Sequence, residues 1–303
     1  MSFASVNGRV TPADEARVSV LDNGFAFGDS VYEVLRTYAG QAFEPGRHFR
    51  RLRASAARLG FDVPRTDTQL LAELDALVAR AGGVESYVRI VVSRGVGDCS
   101  YDFDRVGTPT VVMIQKPLPS YPARHYEEGI RVAAVDVRRN HPRALDPAIK
   151  SSNLLNNILA VRAARARGCD EPLLLNHEGY LAEGASTNVF VVLEDALLTP
   201  PLSAGILAGI TREVVIELAR GLGLPCHERP LALDTLLGAD EAFLTSTTRE
   251  VVPVRQVDEA VIGEGRPGPY TCRVLDAFRA YAPLHCGQAA LTAAAIPSGR
   301  TSG

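Results

Sequence analysis

Ala148-Ile149-Lys150-Ser151-Ser152-Asn153-Leu154-Leu155-Asn156-Asn157-Ile158-Leu159-Ala160, followed by Ala182-Glu183-Gly184-Ala185-Ser186-Thr187-Asn188-Val189-Phe190, is the pair of stretches on which the reading of this chain turns. Ser151, Ser152 and Asn153 are helix-capping residue types, and Leu154, Leu155, Ile158, Leu159 and Val161 recur with helical spacing until Gly168. The spacing predicts a helix with Lys150 at its N-terminus. There the helix dipole and burial would both favour a neutral amine, the form that attacks a carbonyl carbon. A lysine beside a helix is ordinarily a solvated surface residue. This chain spends arginine nearly everywhere else, however, and arginine cannot deprotonate, so a lysine here suits a group needed as a free amine.

Glu183 lies on a strand that leaves a turn containing Gly179 and ends at Gly184, where backbone can approach a ligand closely. Gly205-Ile206-Leu207-Ala208-Gly209-Ile210-Thr211 leads directly into a predicted helix. The N–H groups of Ile210 and Thr211 and the Thr211 hydroxyl then form a candidate anion site, although an ordinary capped helix reads the same way.

The 303 residues allow one large or two ordinary domains, and 46% hydrophobic content suffices for a core. A net charge of −3 points to no nucleic-acid partner. No apolar run is long enough for a membrane span, and Met1 is not followed by a signal-peptide pattern. Five widely spaced cysteines form neither a disulfide framework nor a metal site and suit a reducing cytoplasm. Six scattered histidines add no metal site. Gly263-x-Gly265-x-x-Gly268 has the spelling of a dinucleotide fingerprint, but Pro267 and Pro269 interrupt it and no buried strand precedes it.

Periodicity and turn residues predict an Asn7-Gly8 hairpin and a strand over 31–38. Helices follow over 47–59 and 67–81, then strands over 86–93 and 110–115. The proline-rich 116–124 is the expected linker between a small N-terminal α/β domain, 1–115, and a larger domain, 125–285. Within the larger domain strands are expected over 130–137, 172–176, 180–193 and 241–245, with helices over 210–220 and 270–281. The Ala-, Ser- and Gly-rich end, 286–303, is expected to be a disordered tail.

Together these segments resemble the fold type IV, or class IV, aminotransferases, from about Phe3 to about Ala282. That family includes branched-chain and D-amino-acid aminotransferases and aminodeoxychorismate lyases. The resemblance implies a two-domain α/β (α+β) fold with pyridoxal 5'-phosphate between the domains and Lys150 as its catalytic amine. It implies Glu183 as partner of the ring nitrogen, with the phosphate held by Ile210, Thr211, Thr247 of a Ser-Thr-Thr turn, and Arg51. Arg51 rather than Arg50 fits the His-x-x-Arg-Leu pattern of His48-Phe49-Arg50-Arg51-Leu52. Tyr32 and Arg36 of Tyr32-Glu33-Val34-Leu35-Arg36, Tyr87 and Arg89 of Ser86-Tyr87-Val88-Arg89, and Thr248 match substrate-binding positions. Val34 stands where the branched-chain members have glycine, and the lysine segment is closer to the D-amino-acid type. Arg94-Gly95, on the other hand, lacks the arginine and histidine that follow in that type. The implied activity is ping-pong transamination between a branched-chain or other apolar L-amino acid and 2-oxoglutarate, in a homodimer. D-amino-acid transamination and the lyase reaction are the alternatives.

Overall fold

The computed structural model describes residues 1–293 and shows a mixed α/β protein whose chain divides into two compact units. The first comprises Met1–Pro119, Lys150–Ser152 and the residues from Tyr281 onward; the second comprises Ser120–Ile149 and Asn153–Ala280.

The first unit contains β1 (Phe3–Val6), β2 (Arg9–Pro12), α1 (Asn23–Phe27), β3 (Ser30–Tyr38), β4 (Gln41–Ala42), α2 (Pro45–Arg58), α3 (Asp67–Arg80), β5 (Ser86–Ser93) and β6 (Thr110–Pro117). Its strands form an antiparallel sheet in the order β2-β1-β6-β5-β3-β4. The β1–β2 turn is made by Asn7 and Gly8 with φ of 51° and 89°, the left-handed pair a tight hairpin requires. Strands β3 and β5 alternate buried and half-buried residues, as a two-faced strand must. Val31, Glu33, Leu35 and Thr37 are buried, whereas Tyr32, Val34, Arg36 and Tyr38 are half-buried on the opposite face.

The second unit contains α4 (Arg124–Glu127), β7 (Ile130–Ala134), α5 (Leu155–Ala166), β8 (Glu171–Leu175), β9 (Leu181–Gly184), β10 (Asn188–Leu193), β11 (Ala196–Thr199), α6 (Ile210–Gly221), β12 (Cys226–Glu228), α7 (Leu233–Leu237), β13 (Glu241–Ser246), β14 (Glu250–Val257), β15 (Ala260–Val261) and α8 (Pro269–Tyr281). Its sheet runs β12-β11-β10-β13-β14-β7-β8-β9, and β9 also pairs with β10 through Glu183 and Asn188. That pairing closes β10, β13, β14, β7, β8 and β9 into a ring and removes their free edges. Ile130, Val132, Leu173, Leu181, Val189, Val191, Leu244 and Val252 belong to one buried apolar cluster, so these strands read as nearly continuous hydrophobic runs.

Three expectations are corrected. The irregular connection is shorter than 116–124, because Lys116 and Pro117 still pair with Tyr87 and Ser86 in β6 and Arg124 begins α4. The stretch expected as strand over 180–193 is two strands: the first ends at Gly184, the end already read for the Glu183 strand, and the chain breaks where the Gly184 N–H donates to the Thr187 carbonyl at 2.7 Å. The tail expected from 286 instead begins with α9 (Gly287–Ala293), which belongs to the first unit and packs on α2 and α3. It is anchored by a β-bridge from Cys286 to Phe43 and by the Tyr281 hydroxyl, which donates to Glu44 at 2.6 Å. The remainder of the expected tail, 294–303, lies outside the described residues.

Candidate active site

Lys150 is not at a helix N-terminus. Helix α5 begins at Leu155, and Lys150–Ser152 is extended along the open edge of β3. The Tyr32 N–H donates to the Lys150 carbonyl and the Ser152 N–H to the Ser30 carbonyl, each at 2.9 Å. The Lys150 N–H donates in turn to Ser55 Oγ of α2 at 3.2 Å. The capping residue types were misleading because their backbone groups are spent on a strand edge about 120 positions away. The helix-dipole argument for this lysine therefore loses its premise, since that field fades beyond the first turn.

Lys150 Nζ lies 4.5 Å from the centroid of the Tyr32 ring, and the Arg89 guanidinium lies 4.0 Å from the same ring. In the β3–β5 register Arg36 faces Tyr87 and Val34 faces Arg89. All four substrate candidates of this unit, Tyr32, Arg36, Tyr87 and Arg89, are half-buried residues of one sheet face. The Arg36 guanidinium packs 4.1 Å over Tyr38, and Lys116 lies 4.6 Å over Tyr87. Such a face of cations on aromatic rings suits a carboxylate.

Arg51 is on the other side of the same sheet. Its Nε and Nη2 donate to Glu33 Oε1 and Oε2 at 2.6 and 2.8 Å, while Arg50 is exposed. His48 Nδ1 lies 2.7 Å from Glu33 Oε2, and both side chains are wholly buried. Burial works to raise the Glu33 pKa, but Arg51 and then His48 outweigh it and hold the carboxyl well below the usual range. For His48 burial is the largest cause and lowers its pKa, against the opposing pull of Glu33 and with Arg51 and Lys150 adding to the lowering.

In the second unit Glu183 is buried and crowded with donors. Arg139 Nε donates to its Oε1 at 2.7 Å; the Leu207 N–H and Asn188 Nδ2 donate to its Oε2 at 3.0 and 3.4 Å. Asn188 also donates to the Leu207 carbonyl at 3.0 Å, which ties the 207–209 backbone to β10. Gly209 is the N-cap of the twelve-residue α6, with Ile210 and Thr211 in its first turn. The Thr211 hydroxyl is buried and has no hydrogen-bond partner among the described residues. Buried hydroxyls normally have one, so this helix end carries an unspent donor beside its first-turn N–H groups. Thr247 and Thr248 are half-buried in the turn between β13 and β14, where the Tyr121 hydroxyl donates to Thr248 Oγ1 at 3.2 Å. Gly184, read as a place where a ligand approaches, is instead closed over by Thr187: a Cβ there would lie 2.1 Å from its hydroxyl.

The sequence did not single out Glu33, His48, Arg139 or Asn188 for a role. Glu33 and His48 fall inside the quoted motifs; Arg139 had no signal beyond being one arginine among many.

Asn188 makes Gly209 a restrictive position, since a Cβ there would lie 1.9 Å from Asn188 Oδ1. Gly209→Ala is expected to destabilise the protein by about 1–3 kcal/mol, measured by chemical denaturation, because Asn188 is already committed to Glu183 and Leu207. An unchanged midpoint would show that Asn188 turns aside freely.

A protein of Methanocaldococcus jannaschii provisionally named branched-chain-amino-acid aminotransferase is 39% identical over 274 residues, covering 90% of this chain and 94% of that protein. The D-alanine aminotransferase of Bacillus licheniformis is 36% identical over 273 residues, covering 90% and 94%. In structure, the chain is similar to a T.th. branched-chain amino acid aminotransferase complexed with N-(5'-phosphopyridoxyl)-L-glutamate. The TM-score is 0.86 at 30% identity, over 93% of this chain and 94% of that one. Residues 30–257 match the sequence model of the amino-transferase class IV family. With the fold and more than half of the length in agreement, this chain belongs to the class IV amino-transferases.

Proposed function

We propose that this class IV amino-transferase binds pyridoxal 5'-phosphate and moves amino groups from a branched-chain or similar apolar L-amino acid to 2-oxoglutarate. The two half-reactions follow a ping-pong order. The observation that carries this reading is the Lys150 amine poised over Tyr32, on the half-buried face that also holds Arg36, Tyr87 and Arg89. The donor set fits the cofactor. Thr211 offers an unspent buried hydroxyl at a helix N-terminus, beside the first-turn N–H groups of α6.

When bound, pyridoxal phosphate supplies an aldehyde for the amine and a ring that takes up the electron pair of the substrate α-carbon. Glu183 would accept a hydrogen bond from the ring nitrogen, and Ile210, Thr211, Thr247 and Arg51 would hold the phosphate. Lys150 would carry the proton to and from the substrate α-carbon. Tyr32, Arg36, Tyr87, Arg89 and Thr248 would orient the substrate, its carboxylate toward the arginines.

Two further readings accompany this one. A homodimer is supported by the exposed aromatic surface of the first unit, where Phe25, Tyr101 and Phe103 are solvent-facing and the Phe27 and Tyr101 rings pack in a tilted pair, 5.2 Å between centroids. A cytoplasmic site of action fits five cysteines that are all free thiols.

The experiment is a half-reaction on the cofactor-loaded protein without acceptor, with L-leucine, L-glutamate and D-alanine added singly. Conversion of the cofactor to its amine form by both L-compounds is the expected result. Conversion by D-alanine alone would transfer the activity to the D-specific branch, which the likeness to a D-alanine aminotransferase makes the second reading. Conversion by none of the three would remove both readings and make aminodeoxychorismate lyase activity the next assay.

A further inference from the structure

The Glu33–His48–Arg51 cluster is built at a cost that packing does not require. Glu33 and His48 are fully buried, and the Arg51 side chain is only 14% exposed. Burying an ion pair is commonly no better for stability than an apolar replacement of the same volume. What the pair does supply is orientation. The Nε–Nη2 edge of Arg51 is forked on both Glu33 oxygens, which fixes the plane of the guanidinium.

Both ends of the fork rest on regular structure. Glu33 is in the interior of β3, in register with Ile90 of β5, and His48 and Arg51 are three residues apart on one face of α2. The Glu33 carboxylate only accepts, so His48 Nδ1 is the donor; burial favours the neutral imidazole, in which Nε2 is then an acceptor. His48 Nε2 is buried and has no partner among the described residues. A buried imidazole with one nitrogen given to Glu33 and the other left for a ligand or a water marks this cluster as more than core.

We propose that Glu33 and His48 are positioning residues for phosphate recognition: they clamp Arg51 from behind so that its guanidinium is presented in one orientation to the phosphate of the cofactor. This rests on the reading of Arg51 as a phosphate ligand. Glu33 fixes the plane, and His48 fixes Glu33.

The test separates phosphate from ring. Full-length protein stripped of cofactor is titrated with pyridoxal 5'-phosphate and, separately, with pyridoxal, which bonds to the same lysine but lacks the phosphate. Absorbance gives the two dissociation constants, and the phosphorus-31 shift of the bound phosphate gives an independent signature. Glu33→Gln is expected to weaken pyridoxal phosphate by about 10- to 100-fold, the range for a lost charged hydrogen bond, while pyridoxal changes by less than about twofold. The double variant Glu33→Gln/Arg51→Gln should bind no more weakly than Arg51→Gln alone, because Glu33 acts only through Arg51. His48→Asn keeps a donor toward Glu33 and should preserve the phosphate preference; His48→Leu should lose part of it. Should Glu33→Gln fail to fold, Glu33→Asp keeps the charge but is too short for the fork, and a reduced preference is again expected.

Equal weakening of both ligands by the Glu33 and His48 variants would overturn the proposal and leave the cluster a structural one. Loss of phosphate preference in Arg51→Gln but not in the Glu33 variants would also overturn it, with Arg51 still a ligand. If Arg51→Gln itself leaves the preference intact, the role of Arg51 falls and the clamp with it.

Discussion

Lys150→Ala is expected to abolish the visible absorbance of the cofactor-loaded protein and to lower turnover by about 10⁴-fold, the upper end of what a positioned acid–base group supplies. The fold should survive. Lys150–Ser152 is held by backbone hydrogen bonds to Tyr32, Ser30 and Ser55, none of which uses the lysine side chain. Lys150→Arg sharpens the test, since an arginine can keep a cation on the Tyr32 ring but cannot deprotonate. It should be as inactive as the alanine variant while melting closer to the natural protein. The other lysine of the sequence is Lys116, so absorbance persisting in Lys150→Ala would direct attention there and remove the central assignment.

Glu183→Gln is expected to leave cofactor bound but to slow turnover by about 10²–10³-fold, the scale of one lost electrostatic contact to developing charge. Spectroscopic titration gives occupancy, and single-turnover kinetics gives the rate. The choice of glutamine follows from the crowding around this carboxylate. Alanine would strand the Arg139 guanidinium, the Leu207 N–H and Asn188 in a buried pocket, at about 3–5 kcal/mol for an unpaired buried charge. Glutamine keeps the shape and one acceptor oxygen and removes the charge. Near-normal turnover with full occupancy would mean that another group holds the ring nitrogen.

Most elements were legible because their signals are local. The helix over Asp67–Arg80 has its leucines on one face and a Thr66–Gln69 capping box, and β5 occupies the residues its alternation marks. The short strands β11, β12 and β15 carried no signal of their own, since each is defined by the strand it pairs with. Lys150, expected at a helix N-terminus, lies instead on a strand edge: capping types at 151–153 compete with that edge, and the edge wins because β3 at Ser30–Tyr32 has backbone groups left to pair there. The start of the C-terminal tail was misread for a similar reason. An alanine-rich segment has little to bury alone, but Tyr281 and Cys286 tie it to Glu44 and Phe43.

The sequence by itself determined which residue types stand where: an amine at 150, a carboxylate at 183, a helix start at 210–211, and alternating aromatic and cationic positions on two strands. Residue type and short-range spacing suffice for that, because periodicity and turn chemistry act over a few residues. Only the tertiary structure decided what those groups face. It put Lys150 on the edge of β3 and over Tyr32, set Arg51 against Glu33 and His48, and surrounded Glu183 with Arg139, Asn188 and the Leu207 N–H. Several of these partners are separated by tens of positions to more than a hundred, and pairing over such distances is fixed by sheet register and by the demand that every buried polar group find a partner.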